Sequence, residues 1–105
     1  MTKRESILQK VKQIVLQNEP NAKVFLYGSR VKGKAKPDSD WDFLILIPKS
    51  PVTPEDEKKI TWQLYDFEFE SGEVLSPMIY SEQDWYNKFS VTPFYKSVMK
   101  EGLLL

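Results

Sequence analysis

Two short features of the chain carry the residues best suited to chemistry. Gly28-Ser29 closes the apolar stretch Lys23-Val24-Phe25-Leu26-Tyr27, and Asp40 and Asp42 stand at the head of Phe43-Leu44-Ile45-Leu46-Ile47. Side chains two residues apart on a strand point to one face, so Asp40 and Asp42 project together and Trp41 points away. Two adjacent carboxylates repel each other and are costly beside a buried strand; a divalent cation removes that cost. Gly28 lets a phosphate come close to the backbone. Ser29 adds a hydroxyl at a point where a helical turn can begin and offer backbone N–H groups to an anion. Together these groups can hold a metal-charged triphosphate. The competing reading is structural: a plain Gly-Ser turn, and a solvated strand start in which Asp38-Ser39-Asp40 form an Asx-type turn.

Composition narrows the chemistry. The 105 residues hold neither cysteine nor histidine. Disulfides, thiolate catalysis, zinc-cysteine sites and the Ser-His-Asp arrangement are therefore excluded. A metal must take oxygen ligands, which favours magnesium or manganese. Fifteen basic residues balance fifteen acidic ones, so nucleic acid as a partner is not indicated by net charge. The run Phe43 to Ile47 is far too short to span a bilayer. The polar start Met1-Thr2-Lys3-Arg4-Glu5 has no apolar signal core behind it, and the expectation is a cytoplasmic protein with no membrane partner.

The elements that must position these residues are legible as patterns. Ile7, Leu8, Val11, Ile14 and Val15 recur at helical spacing, predicting an amphipathic helix over 3–18 that Asn18-Glu19-Pro20-Asn21 stops. Strands follow over 23–27 and 41–47, joined by a polar, basic loop, and the continuous apolar run of the second suggests a central strand. Thr53-Pro54-Glu55-Asp56 is a helix start: an N-cap, a proline and acids in the first turn. That helix carries Ile60, Leu64 and Phe67 inward to about Glu70. A third strand over 74–80 is expected at an edge, broken or bulged at Pro77. Short helices then open at Ser81 and at Thr92-Pro93. The fold class is α/β (α+β): one domain over residues 1–105, a small mixed sheet of about three strands with helices packed on it.

Gly28-Ser29, a ten-residue gap, Asp40-x-Asp42 and an apolar strand resemble the signature of the polymerase-beta-type nucleotidyltransferase superfamily. The longer string Gly-Ser-Arg-x-x-Gly before Ser-Asp-x-Asp-Phe resembles its minimal nucleotidyltransferase branch. The resemblance implies that Asp40 and Asp42 hold Mg2+ or Mn2+, and that Gly28 and Ser29 cradle the phosphates of ATP or another NTP. It implies attack of an acceptor hydroxyl on the α-phosphorus, with AMP the expected nucleotide moved and pyrophosphate leaving. Such chemistry needs positioning and charge neutralisation rather than histidine.

Catalytic members of that superfamily carry a third carboxylate on the strand after the crossover helix. Here the segment reads Glu73-Val74-Leu75-Ser76-Pro77-Met78, with Ser76 where an aspartate is sought. Glu73 is the nearest acid and is the candidate substitute. In the loop, Arg30 is the candidate phosphate ligand, since guanidinium binds phosphate bidentately; Lys32, Lys34 and Lys36 are either further phosphate or RNA contacts or a solvated charged loop. Trp62, Tyr65, Phe67 and Phe69 on the crossover helix, and the later Trp85, Tyr86, Phe89, Phe94 and Tyr95, are expected to pack rather than to stack bases. Leu103-Leu104-Leu105 either docks on the core or meets another chain. Minimal nucleotidyltransferases resemble one half of a two-protein system with a helical HEPN-type protein, which makes such a partner an expectation. The alternative is a catalytically weakened antitoxin that binds nucleotide or metal and acts by contact.

Overall fold

The computed structural model describes residues 1–31 and 35–105. Lys32, Gly33 and Lys34, including two of the three lysines considered for phosphate or RNA, lie outside the described residues. The elements run α1 (Lys3–Asn18), β1 (Lys23–Tyr27), a 3-10 turn (Gly28–Arg30), β2 (Trp41–Ile47), α2 (Pro54–Ser71), β3 (Leu75–Ser81), α3 (Glu82–Asn87), α4 (Pro93–Glu101) and β4 (Leu103–Leu104). The sheet order is β3-β2-β1-β4. β1 pairs antiparallel with β2 and β4, whereas the α2 crossover makes β3 parallel to β2.

Helices cover both faces of the sheet, and the alternation of each strand divides the interior. Val24 and Leu26 of β1 and Trp41, Phe43, Ile45 and Ile47 of β2 pack with Ile7, Val11, Ile14 and Val15 of α1 and Ile60 and Leu64 of α2. The opposite parity, Phe25, Leu44 and Leu46, packs with Trp85 and Val98 from α3 and α4. Both faces of β2 are therefore buried, which is why its sequence is continuously apolar.

Two expectations need amendment. β3 runs unbroken through Pro77, which the edge position tolerates because its missing N–H has no ladder partner to serve. A fourth strand, β4, was not expected: Leu103 and Leu104 pair with Leu26 and Phe25, and the Leu105 N–H donates to the Val24 carbonyl. Of the terminal leucines only Leu105 leans on the core; Leu103 and Leu104 pair through their backbone and leave their side chains exposed.

α2 starts as its sequence dictates. The Thr53 hydroxyl accepts from the Asp56 N–H at 3.2 Å, and the Asp56 carboxylate accepts from the Thr53 N–H at 3.0 Å, a closed capping box. That backbone hydrogen bond, with the Lys49 ammonium at 3.1 Å, lowers the Asp56 carboxyl to about 2. A group depressed in this way supports the fold above the ordinary carboxylate range and stops doing so as pH falls toward about 2. Thr53→Ala should cost about 1 kcal/mol in urea unfolding, with ligand binding unchanged, because the cap lies at the far end of the sheet from Asp42.

Candidate active site

The start of β2 and the end of β1 meet at one rim. Tyr27 is directly opposite Asp42 in the antiparallel register, so Gly28 follows at the carboxylate itself. The approach is close: a Cβ on Gly28 would stand 2.5 Å from Asp42 Oδ2. Gly28 also has φ +80°, a left-handed conformation disfavoured for residues with a side chain. The chain then turns through a 3-10 element that exposes Ser29.

Asp40 and Asp42 share a face, and Trp41 between them is buried among α1 and α2. Asp42 titrates above the usual aspartate range, first because it is partly buried and then because Asp40 is charged nearby. Tyr27 is edge-on to Phe94 with ring centroids 5.2 Å apart. Its phenol is pushed up by burial, then by Asp42, then by Tyr80. In β3, Ser76 is in register with Asp42, and its hydroxyl donates to Asp40 Oδ2 at 3.2 Å. The structure thus brings Gly28, Ser29, Asp40 and Asp42 together and sets Ser76 in the position flanking the two acids.

The other two sequence candidates are held elsewhere. Arg30 stacks on the Trp41 ring with its guanidinium carbon 4.2 Å from the centroid, and it donates to the carbonyls of Ser39 at 2.7 Å and Pro37 at 3.3 Å. It ties the loop on the face of β2 that carries Trp41, through Nη2 alone, and its Nε is buried without a hydrogen-bond partner. Glu73 shares that face. It is 7% exposed and forms an ion pair with Lys3. The Lys3 hydrogen bond holds its carboxyl below the usual range against the opposing effect of burial. Parity explains the separation: Glu73 precedes Leu75 by two residues and points with it toward α1 and α2, whereas Ser76 points with Asp42. The loop before Asp40 is tied by Ser39, whose hydroxyl accepts from the Lys36 N–H at 3.0 Å, rather than by an Asp38 turn.

Beside the Gly-Ser turn lies an open cleft of about 370 Å³ lined by Tyr27, Gly28, Ser29, Phe94, Ser97 and Glu101. Tyr27, Ser97 and Glu101 were not among the candidates read from sequence, and Phe94 was weighed only as an aromatic expected to pack. Tyr27 was findable, because an antiparallel turn places the residue before Gly28 beside the aspartates. Phe94 and Ser97 were not, because only tertiary packing returns α4 to this rim.

The model for the nucleotidyltransferase domain matches residues 8–103. The chain belongs to the nucleotidyltransferase domain family. This membership fits the polymerase-beta-type resemblance and the α/β architecture. No curated protein and no solved structure matches the chain. No helix among the described residues is long and apolar enough to cross a membrane.

The fit of a metal can be judged from the donors. Among the described residues no group of three or more histidine, cysteine, aspartate or glutamate side chains is arranged to hold an ion. Asp40 and Asp42 are nonetheless two hard oxygen donors, and their mutual repulsion already appears in the raised Asp42 carboxyl. Magnesium commonly uses one or two carboxylates and completes its shell with substrate phosphates and water. The pair fits that mode and does not form an all-protein cage. Gly28→Ala should cost about 1–2 kcal/mol from backbone strain and displace the Asp42 carboxylate. Calorimetry should then find magnesium-triphosphate binding lost under conditions where circular dichroism still reports a folded chain.

Proposed function

We propose that this nucleotidyltransferase-family chain is a magnesium-dependent enzyme that transfers a nucleoside monophosphate, AMP by preference, from an NTP to a hydroxyl acceptor in the cytoplasm. The observation that carries the reading is the convergence of Gly28 on Asp42 across the β1–β2 rim, with Asp40 on the same face. Asp40 and Asp42 would hold Mg2+ or Mn2+, which when bound supplies neutralisation of phosphate charge. The Gly28-Ser29 turn binds the phosphate tail, since the glycine leaves room and the serine offers a hydroxyl. Tyr27 and Phe94 border the cleft into which the rest of the nucleotide extends. Ser76 orients Asp40 through its hydroxyl. An acceptor hydroxyl gives its proton to solvent water as its oxygen bonds to the α-phosphorus, the bond from that phosphorus to the bridging oxygen breaks, and pyrophosphate carries the electron pair away. Arg30 acts indirectly by fixing the loop that delivers Asp40.

A second reading is favoured by Ser76: a nucleotide- and metal-binding antitoxin that acts on a HEPN-type partner by contact, with little turnover. The experiment is transfer of α-labelled ATP with magnesium, with and without the protein encoded next to this one. Incorporation that disappears in Asp40→Asn supports the enzyme. Neutralisation of a partner that survives Asp40→Asn and Asp42→Asn supports the contact mechanism and rejects the enzyme.

A further inference from the structure

Three aromatic side chains on α2 face solvent: Trp62 is 64% exposed, Tyr65 54% and Phe69 92%. Their spacing of three and four residues puts them on one stripe, opposite the face that buries Ile60 and Leu64. The sequence expectation that the aromatics pack within the fold is met by Trp85, Tyr86, Phe89, Phe94 and Tyr95 and, on α2, by Phe67 alone. A monomer rarely leaves so large an apolar strip uncovered.

The charges beside the stripe identify what covers it. Lys58 and Lys59 flank its N-terminal half, just after the first-turn acids Glu55 and Glu57, and Asp66 and Glu70, which line a groove with Lys10 of α1, flank its C-terminal half. None of Lys58, Lys59, Asp66 and Glu70 makes an ion pair among the described residues. The stripe is self-complementary when inverted. A two-fold axis through its middle lays Trp62 on Tyr65 of a second copy and Lys58 over Phe69, and it sets Lys59 level with the opposing Glu68 and about half a helical turn from the opposing Asp66. A parallel pairing would set lysines against lysines and acids against acids. The acids also make the strip a poor surface for nucleic-acid phosphates, despite its rings.

We propose that the outward face of α2 is the seam of an antiparallel homodimer of this chain. The aromatics leave about 450 Å² uncovered per chain. Two copies, with the lysine stems added, reach about 1,200 Å², the low end for specific association. The dissociation constant should be on the order of tens of micromolar. Both active sites remain open in this dimer, because α2 packs on the face of the sheet away from Asp42.

Sedimentation equilibrium of the full chain over a concentration series tests the proposal. The expected result is a mass rising from monomer to dimer, with Phe69→Glu remaining monomeric and natively folded by circular dichroism. A charge exchange tests the antiparallel order separately. K58E/K59E and D66K/E70K should each lose self-association, and an equimolar mixture should form a heterodimer. A wild-type mass that stays monomeric at millimolar concentration overturns the proposal. So does a dimer indifferent to Phe69→Glu, or salt-sensitive binding of single-stranded RNA that needs Trp62 while the protein remains monomeric. Because no nucleotide is involved, failure here leaves the proposed transfer reaction untouched.

Discussion

Asp42→Asn should bind magnesium-triphosphate at least about 100-fold more weakly than the wild type and yet melt at a higher temperature without metal. Both outcomes come from one carboxylate. Partial burial and the charge of Asp40 raise its folded titration above the unfolded value. A group raised in this way favours the fold while protonated and loses that contribution as pH rises through its folded titration. At neutral pH the metal-free protein therefore carries an unfavourable charge at the head of its central strand. The asparagine removes that charge while nearly keeping the shape. Thermal melts of wild type and Asp42→Asn at neutral pH, with and without magnesium and ATP, measure both effects. The wild type should gain stability from the pair of ligands and the variant should not. The difference between the metal-free melts should shrink as the solution is acidified. A variant that melts lower than wild type at neutral pH, or that keeps the ligand-induced rise, would contradict the assignment of Asp42 as metal ligand.

Ser76→Asp should raise nucleotidyl transfer on the order of 10- to 100-fold. Ser76 is in register with Asp42 and within hydrogen-bond distance of Asp40, so an aspartate there would stand beside both. Three converging carboxylates repel one another in the absence of a cation. The variant should therefore melt below wild type in chelator and show a larger rise when magnesium is added. Glu73 cannot supply this function from where it sits, paired with Lys3 across the strand; Glu73→Gln should accordingly lower stability and leave transfer per folded molecule unchanged. Transfer by Ser76→Asp no greater than wild type, measured with saturating magnesium, would mean that the serine does not limit turnover.

Much of this architecture was readable because each strand and helix carries a local signal that its tertiary setting reinforces. Thr53-Pro54 starts a helix by its own chemistry, and the apolar run from Phe43 announces a strand buried on both sides. The alternation of Asp40, Trp41 and Asp42 assigns faces before any fold is known. What escaped the sequence depends on distant partners. The sequence could not show that Arg30 stacks on Trp41 and holds the Pro37 and Ser39 carbonyls. Glu73 looks like a substitute acid until strand parity turns it toward Lys3. β4 is two residues long, and nothing local distinguishes Leu103-Leu104 from a tail. The aromatics of α2 have helical spacing whether they face inward or outward; only the position of α1 and the sheet tells which side of the helix is covered.

β2 keeps its hard-ion donors and its greasy anchor on adjacent residues, Asp42 and Trp41. Adding or deleting one residue in the loop just before it would leave the strand length intact but slide its pairing by one step. The indole would then surface at the rim, and two carboxylates would be driven into oil. Length variation in this loop is therefore tolerable only where the slack is absorbed before Ser39, and a frame slip beyond that point turns the aspartate-bearing strand inside out.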